Sequence, residues 1–223
     1  MLKLIGAIIT IINLCLSAFC FYVGVKNRKK HRELNHLFIY TIASLLQTVL
    51  IKSIDIISKA HSMPNRAMYS KISIPVFILT EFVCIYFFFY KVSFFNNRIK
   101  KVLLASSILF LAFYVTSFRN VFYISHMSYL YNFESAIILL PCFVYLYQLF
   151  LNPPVLDLLQ EPSFWFTSGV LIYFVLTLPL FIIVDNLNDH YYIAVVNMIN
   201  SIGYMIIFSF LIKAYRCRPN TVK

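Results

Sequence analysis

Asn13, Gln47, Lys52, Asp55, Glu81, Glu134, Asn197 and Asn200 stand inside long apolar runs of the chain. An ionisable side chain inside a bilayer is costly and faces a bundle interior or a cavity rather than lipid, so each marks a candidate site. Glu81 and Glu134 carry the most chemistry, because a carboxyl can hold a cation, accept a hydrogen bond or exchange a proton. Apolar surroundings favour the neutral form of a carboxyl, which opens proton sensing and proton coupling to both. Asn197 and Asn200, spaced i, i+3, are expected on one helix face. Gln47 and Asn13 fall at a comparable depth of their runs. Together these residues predict an outward-opening polar pocket in the middle or outer half of the bilayer. Glu81 and Glu134 are its acidic members, with Asn13, Gln47, Asn197 and Asn200 around them. The plainer alternative is interhelical hydrogen bonding by the amides and a buried or protonated carboxyl pair. Lys52 and Asp55, also i, i+3, read as an intrahelical ion pair near an interface; the alternative sets Asp55 with Arg66 or Lys71 at an extracellular mouth.

The elements that position these residues follow from composition. Of 223 residues, 61% are hydrophobic and 12% charged, with 23 Phe and 16 Tyr, and mean hydropathy is +0.81. Soluble domains carry about 25% charged residues, so a soluble enzyme, a disordered tail, a collagen-like fibre and an ordinary coiled coil are excluded. A membrane helix needs roughly 20 mostly apolar residues. Runs of that kind lie near Leu4–Val25, His36–Ile57, Ile72–Val92, Val102–Phe118, Met127–Leu151, Ser163–Val184 and Tyr191–Ile212. They are continuous rather than alternating, which excludes a β-barrel. The expected fold is an all-α, polytopic integral membrane bundle of seven helices forming one domain over residues 1–223. Pro141 and Pro179 should kink the fifth and sixth helices, and Pro162 suits the first turn of the sixth. The stretch Ser58–Lys71, with Pro64 in it, reads as the longest polar loop. Tyr, Phe and Trp clusters such as Phe87–Tyr90, Phe94–Phe95, Tyr129/Tyr131, Trp165 and Tyr191–Tyr192 fit interfacial belts.

Most of the 19 Lys and Arg residues gather in the first loop, the third loop and the C-terminal tail. The positive-inside rule then sets the N-terminus outside and the C-terminus in the cytoplasm. This topology accounts for the net charge of +11 without nucleic acid, for which no basic stripe with interleaved aromatics exists. Arg28, Lys29, Lys30 and Arg32 in the first loop are placed to meet anionic membrane lipid or a cytoplasmic signalling partner. The first run is too long for a cleaved signal peptide and lacks its small-residue site. The five cysteines show neither zinc spacing nor a pair outside the membrane, and read as small packing residues. No metal site and no cofactor is expected.

Comparison with seven-span families narrows the reading further. Retinal needs a lysine midway along the last helix, and the nearest here, Lys213, lies at its end. The third helix ends Tyr90-Lys91-Val92, without the acidic-Arg-Tyr triplet of animal receptors. Glu161-Pro162-Ser163-Phe164-Trp165, with Gly169 and Tyr173-Phe174 after it and Tyr147-Gln148-Leu149-Phe150 before it, is the most distinctive run. On these residues the chain resembles small seven-span bacterial membrane proteins of unassigned activity, which are similar to the membrane sensing modules of two-component kinases. That resemblance implies a bacterial cytoplasmic membrane and supplies no catalytic residues. The sequence has no zinc helix and no nucleophile elbow, so an enzyme is not expected. Three readings stand. The first is a sensor or accessory protein that binds a small ligand, lipid or proton and signals to a separate partner. The second is a cation- or proton-coupled transporter or channel using Glu81 and Glu134, for which a homo-oligomer could supply the pore. An intramembrane enzyme comes last.

Overall fold

The computed structural model describes residues 2–27, 34–61, 66–91, 95–118, 126–153, 158–184 and 190–217. Its described residues form seven α-helices and no strand: α1 Leu2–Asn27, α2 Asn35–His61, α3 Arg66–Lys91, α4 Asn97–Phe118, α5 His126–Leu151, α6 Pro162–Val184 and α7 His190–Arg216, with a short 3-10 turn at Leu158–Gln160. Six of them are long and apolar enough to cross a membrane; α2 contributes a shorter apolar stretch, Leu37–Leu50, followed in sequence by Lys52 and Asp55. The chain is a multi-pass helical membrane protein.

Local chemistry sets the helix ends. Asn96 precedes α4 and its Oδ1 accepts the Ile99 N–H at 2.9 Å, capping an otherwise unpaired donor. Pro162 opens α6, where its missing N–H costs nothing. Lys91 ends α3, and Lys213 and Arg216 lie in the last turn of α7, where cations favour the helix dipole. Inside the helices, Thr10, Thr41, Thr48, Thr80, Thr177 and Ser201 return their hydroxyls to the carbonyl four residues back. Such bonds satisfy hydroxyls within one helix and leave the carboxyls and amides as the groups that need partners elsewhere.

Helices α2 and α3 are longer than expected and consume most of the predicted loop Ser58–Lys71; only residues 62–65 between them lie outside the described residues. Helix α3 also runs through Pro75, which the sequence reading passed over, as α5 and α6 run through Pro141 and Pro179. Helices α1, α2, α3, α5, α6 and α7 pack in a closed ring, each against the next, and α4 lies against α3 and α5. Two glycines let α6 and α7 approach closely. A Cβ on Gly169 would lie 2.7 Å from Phe210 Cβ, and one on Gly203 would lie 2.6 Å from the Tyr173 ring.

The aromatic clusters divide. Phe87, Tyr90 and Tyr129 are exposed, whereas Phe88, Phe89 and Phe95 are buried core. Phe82 stacks on Phe110 at 3.8 Å, and Phe88 meets Phe166 edge-on at 4.7 Å. Tyr131 stacks on Phe181 at 4.5 Å. With nothing apolar to gain by leaving lipid, helices associate through close packing and polar contacts, and flat rings supply large contact areas. Exposed apolar residues such as Ile108, Val115, Tyr147 and Phe150 form the outer, lipid-facing surface.

Candidate functional site

The ring of helices encloses a polar centre built on Glu81. Glu81 stands midway along the apolar stretch Ser73–Lys91 of α3 and is fully buried. Tyr40 of α2 donates to its Oε1 at 3.1 Å, and Tyr204 of α7 donates to its Oε2 at 3.3 Å. Each oxygen therefore has its own tyrosine. The Tyr40 ring is held by Phe77 at 6.4 Å and Phe208 at 6.2 Å. Tyr204 packs on Tyr173 of α6 at 4.9 Å, and Tyr173 donates to Asn200 Oδ1 at 3.1 Å. Gly203 is needed here, since any side chain would meet the Tyr173 ring that reaches Asn200.

Glu134 of α5 is the second acidic member. It too is fully buried, and it lies close enough to Glu81, Tyr40 and Tyr131 for their charges to interact. Neither of its oxygens has a hydrogen-bond partner. Asn13, Asn132, Gln148 and Thr167 also carry a buried oxygen without a bond, but those are neutral groups. A buried carboxyl with both oxygens idle is the costlier anomaly. Five helices of the ring thus meet at two carboxyls, one fully hydrogen-bonded and one open.

The sequence-predicted pocket residues divide. Glu81, Glu134 and Asn200 are brought into one connected cluster. Asn197 is exposed on the outside of α7, although it was expected to share the inward face with Asn200. The i, i+3 spacing turns it far enough round the helix to leave the interior. Asn13 on α1 and Gln47 on α2 are half-buried, and Asn13 Oδ1 has no hydrogen-bond partner. The side chains of Lys52 and Asp55 lie outside the described residues, as do Arg28, Lys29, Lys30 and Arg32. The tyrosines were missed as site residues. Their signal was Asn200 and Tyr204 at i, i+4 on one face, and Tyr40 and Tyr173 placed well inside apolar runs, away from an interface.

At the α6–α7 end a second polar group closes the bundle. Trp165 donates its indole N–H to Leu159 O at 2.7 Å, and Lys213 Nζ sits over its ring at 5.4 Å. Cys217, just past α7, has its thiol pushed up by burial and further by Glu161, with Lys213 opposing. Among the described residues no group of three or more His, Cys, Asp or Glu could hold a metal ion.

No protein-family model, curated protein or solved structure matches this chain.

Proposed function

We propose that this chain is a membrane sensor or accessory protein that takes a small ligand or a proton at the Glu81–Glu134 centre and passes the change to a separate partner. The observation that carries the reading is the asymmetry of the two carboxyls. Glu81 is held by Tyr40 and Tyr204, whereas Glu134 is buried beside it with both oxygens idle. Intramembrane ionisable groups are functional by default, and an open acceptor next to a held one is a binding arrangement.

Packing supports binding over conduction. From the centre towards the ends of α3 and α5, the interior is filled by Phe88, Phe89, Phe95, Tyr145 and Phe166, all buried. A conduit for ions or protons would need a continuous polar path there, whereas the buried side-chain oxygens of Tyr145, Gln148 and Thr167 stand among these rings. The basic loops favour an N-terminus outside and a C-terminus in the cytoplasm, and on that orientation the end carrying Trp165 and Lys213 is the one a cytoplasmic partner would meet. The resemblance of about the last 80 residues to small seven-span bacterial membrane proteins, themselves similar to sensing modules, supports the same role in a bacterial cytoplasmic membrane.

The test has two parts. Cross-linked pull-down from native membranes should return a stoichiometric cytoplasmic partner, and its yield should change in Glu134→Gln. In protein-containing liposomes, proton or cation flux should not exceed that of empty liposomes. Flux that Glu81→Gln or Glu134→Gln removes, with no partner recovered, would replace the sensor with a transporter.

A further inference from the structure

Glu81 and Glu134 are fully buried, and residues that flank Glu81 on α3 line an apolar groove on the outside of the bundle. A groove of about 440 Å³ between α2 and α3 is lined by Ile39, Leu79, Thr80, Val83, Cys84 and Phe87. A second, of about 310 Å³ between α3 and α4, shares Val83 and Phe87 with the first. Both run along α3 and are lined almost wholly by apolar side chains. Each volume lies within the roughly 300–1,000 Å³ of ordinary ligand sites.

The first groove backs directly onto the centre. Thr80 precedes Glu81 in the chain, and Cys84 follows it by nearly one helical turn and is its electrostatic neighbour. On α2, Ile39 lines the groove while the adjoining Tyr40 holds Glu81 Oε1 from behind it. The Tyr40–Glu81 hydrogen bond thus ties α2 to α3 next to the groove.

Resting on the ligand-binding reading above, we propose that the ligand is a membrane-dissolved, single-chain amine that enters sideways between α2 and α3. Its alkyl tail lies along Val83 and Phe87. Its ammonium head displaces the Tyr40 hydroxyl from Glu81 and occupies the idle oxygens of Glu134. Acid–base complementarity selects the head, because a neutral amine arriving from lipid can take the proton of a buried carboxyl and stay paired with it as ammonium, and the centre presents two carboxyls and no described cation. The apolar lining and the surrounding lipid select the tail. Tyr40, once released, changes the α2–α3 contact, which gives ligand entry a structural consequence.

The experiment is photolabelling of the full-length protein in membranes. The probe is a dodecylamine carrying a diazirine and an alkyne, compared with the matching alcohol and carboxylic acid. Adducts should map to Ile39, Val83 or Phe87, and the amine should exceed both analogues by about tenfold, the equivalent of one charge-assisted contact. Glu134→Gln should bring the amine down to the level of the alcohol. Val83→Trp, a change on an exposed residue that fills the groove and leaves the carboxyls intact, should abolish labelling there by all three probes. Equal labelling by amine, alcohol and acid in the wild type overturns the amine. Unchanged amine preference in Glu134→Gln overturns the carboxyl site itself. A preference lost in Glu134→Gln but kept in Val83→Trp leaves the site standing and overturns sideways entry.

Discussion

Tyr40→Phe removes a single hydroxyl from the centre of the bundle, and its cost can be worked from the structure. The ring keeps its packing on Phe77 and Phe208, so the loss is confined to the 3.1 Å bond to Glu81 Oε1. A buried acceptor stripped of its donor costs about 1–3 kcal/mol. Tyr204→Phe, which removes the 3.3 Å bond to Oε2, should fall in the same range. Glu81→Met strands two tyrosine hydroxyls at once and should cost about 2–6 kcal/mol. Combining all three changes replaces Glu81 and every group bonded to it by an apolar group of similar shape. Tyr173 loses its contact with the Tyr204 hydroxyl but keeps Asn200, so the triple variant should return most of the way to wild type. Reversible unfolding in micelles or bilayers measures each value, with Tyr147→Phe on the exposed surface as the unaffected control. Tyr40→Phe matching Tyr147→Phe would refute the bonding scheme. So would a triple variant whose loss equals the sum of its parts.

Glu134 should behave in the opposite sense: Glu134→Met relieves two idle acceptors and should stabilise the fold by about 1–3 kcal/mol while removing the partner response, as read by unfolding and pull-down. Gly169→Ala should destabilise by about 1–3 kcal/mol through overpacking, because the new Cβ meets Phe210 Cβ at 2.7 Å; Gly6→Ala, with nothing within 4 Å, should be neutral or slightly stabilising in the same unfolding measurement. The Cys217 thiol is held up by burial and by Glu161 against Lys213, so Glu161→Gln should speed maleimide labelling at neutral pH by raising the thiolate fraction, and Lys213→Met should slow it. Labelling rates insensitive to both changes would show that neither charge reaches the thiol.

The helical membrane class was legible because long apolar runs and scarce charges leave no other solution. Helix ends were less so: α3 begins at Arg66 because helix continues through the polar turn before the apolar stretch, and Pro75 does not stop it. Glu81, Glu134 and Asn200 could be nominated from cost alone, since each is expensive in lipid. Asn197 carries the same cost and is nevertheless exposed; spacing on one helix does not say which side its neighbours cover. The tyrosines were hidden by their own chemistry. A residue with an apolar ring and a polar tip suits an interface or a core equally, and only the packing of α2, α6 and α7 shows that Tyr40, Tyr173 and Tyr204 turn inward.

The most direct test of the account is the infrared carboxyl band of Glu134 in the reconstituted protein, identified by its loss in Glu134→Gln. If Glu134 is the open acceptor of a ligand or proton site, the band shifts or bleaches across a pH titration or when lipid extract from the native membrane is added. A band that stays unmoved by both would contradict it and leave Glu134 as a buried structural residue.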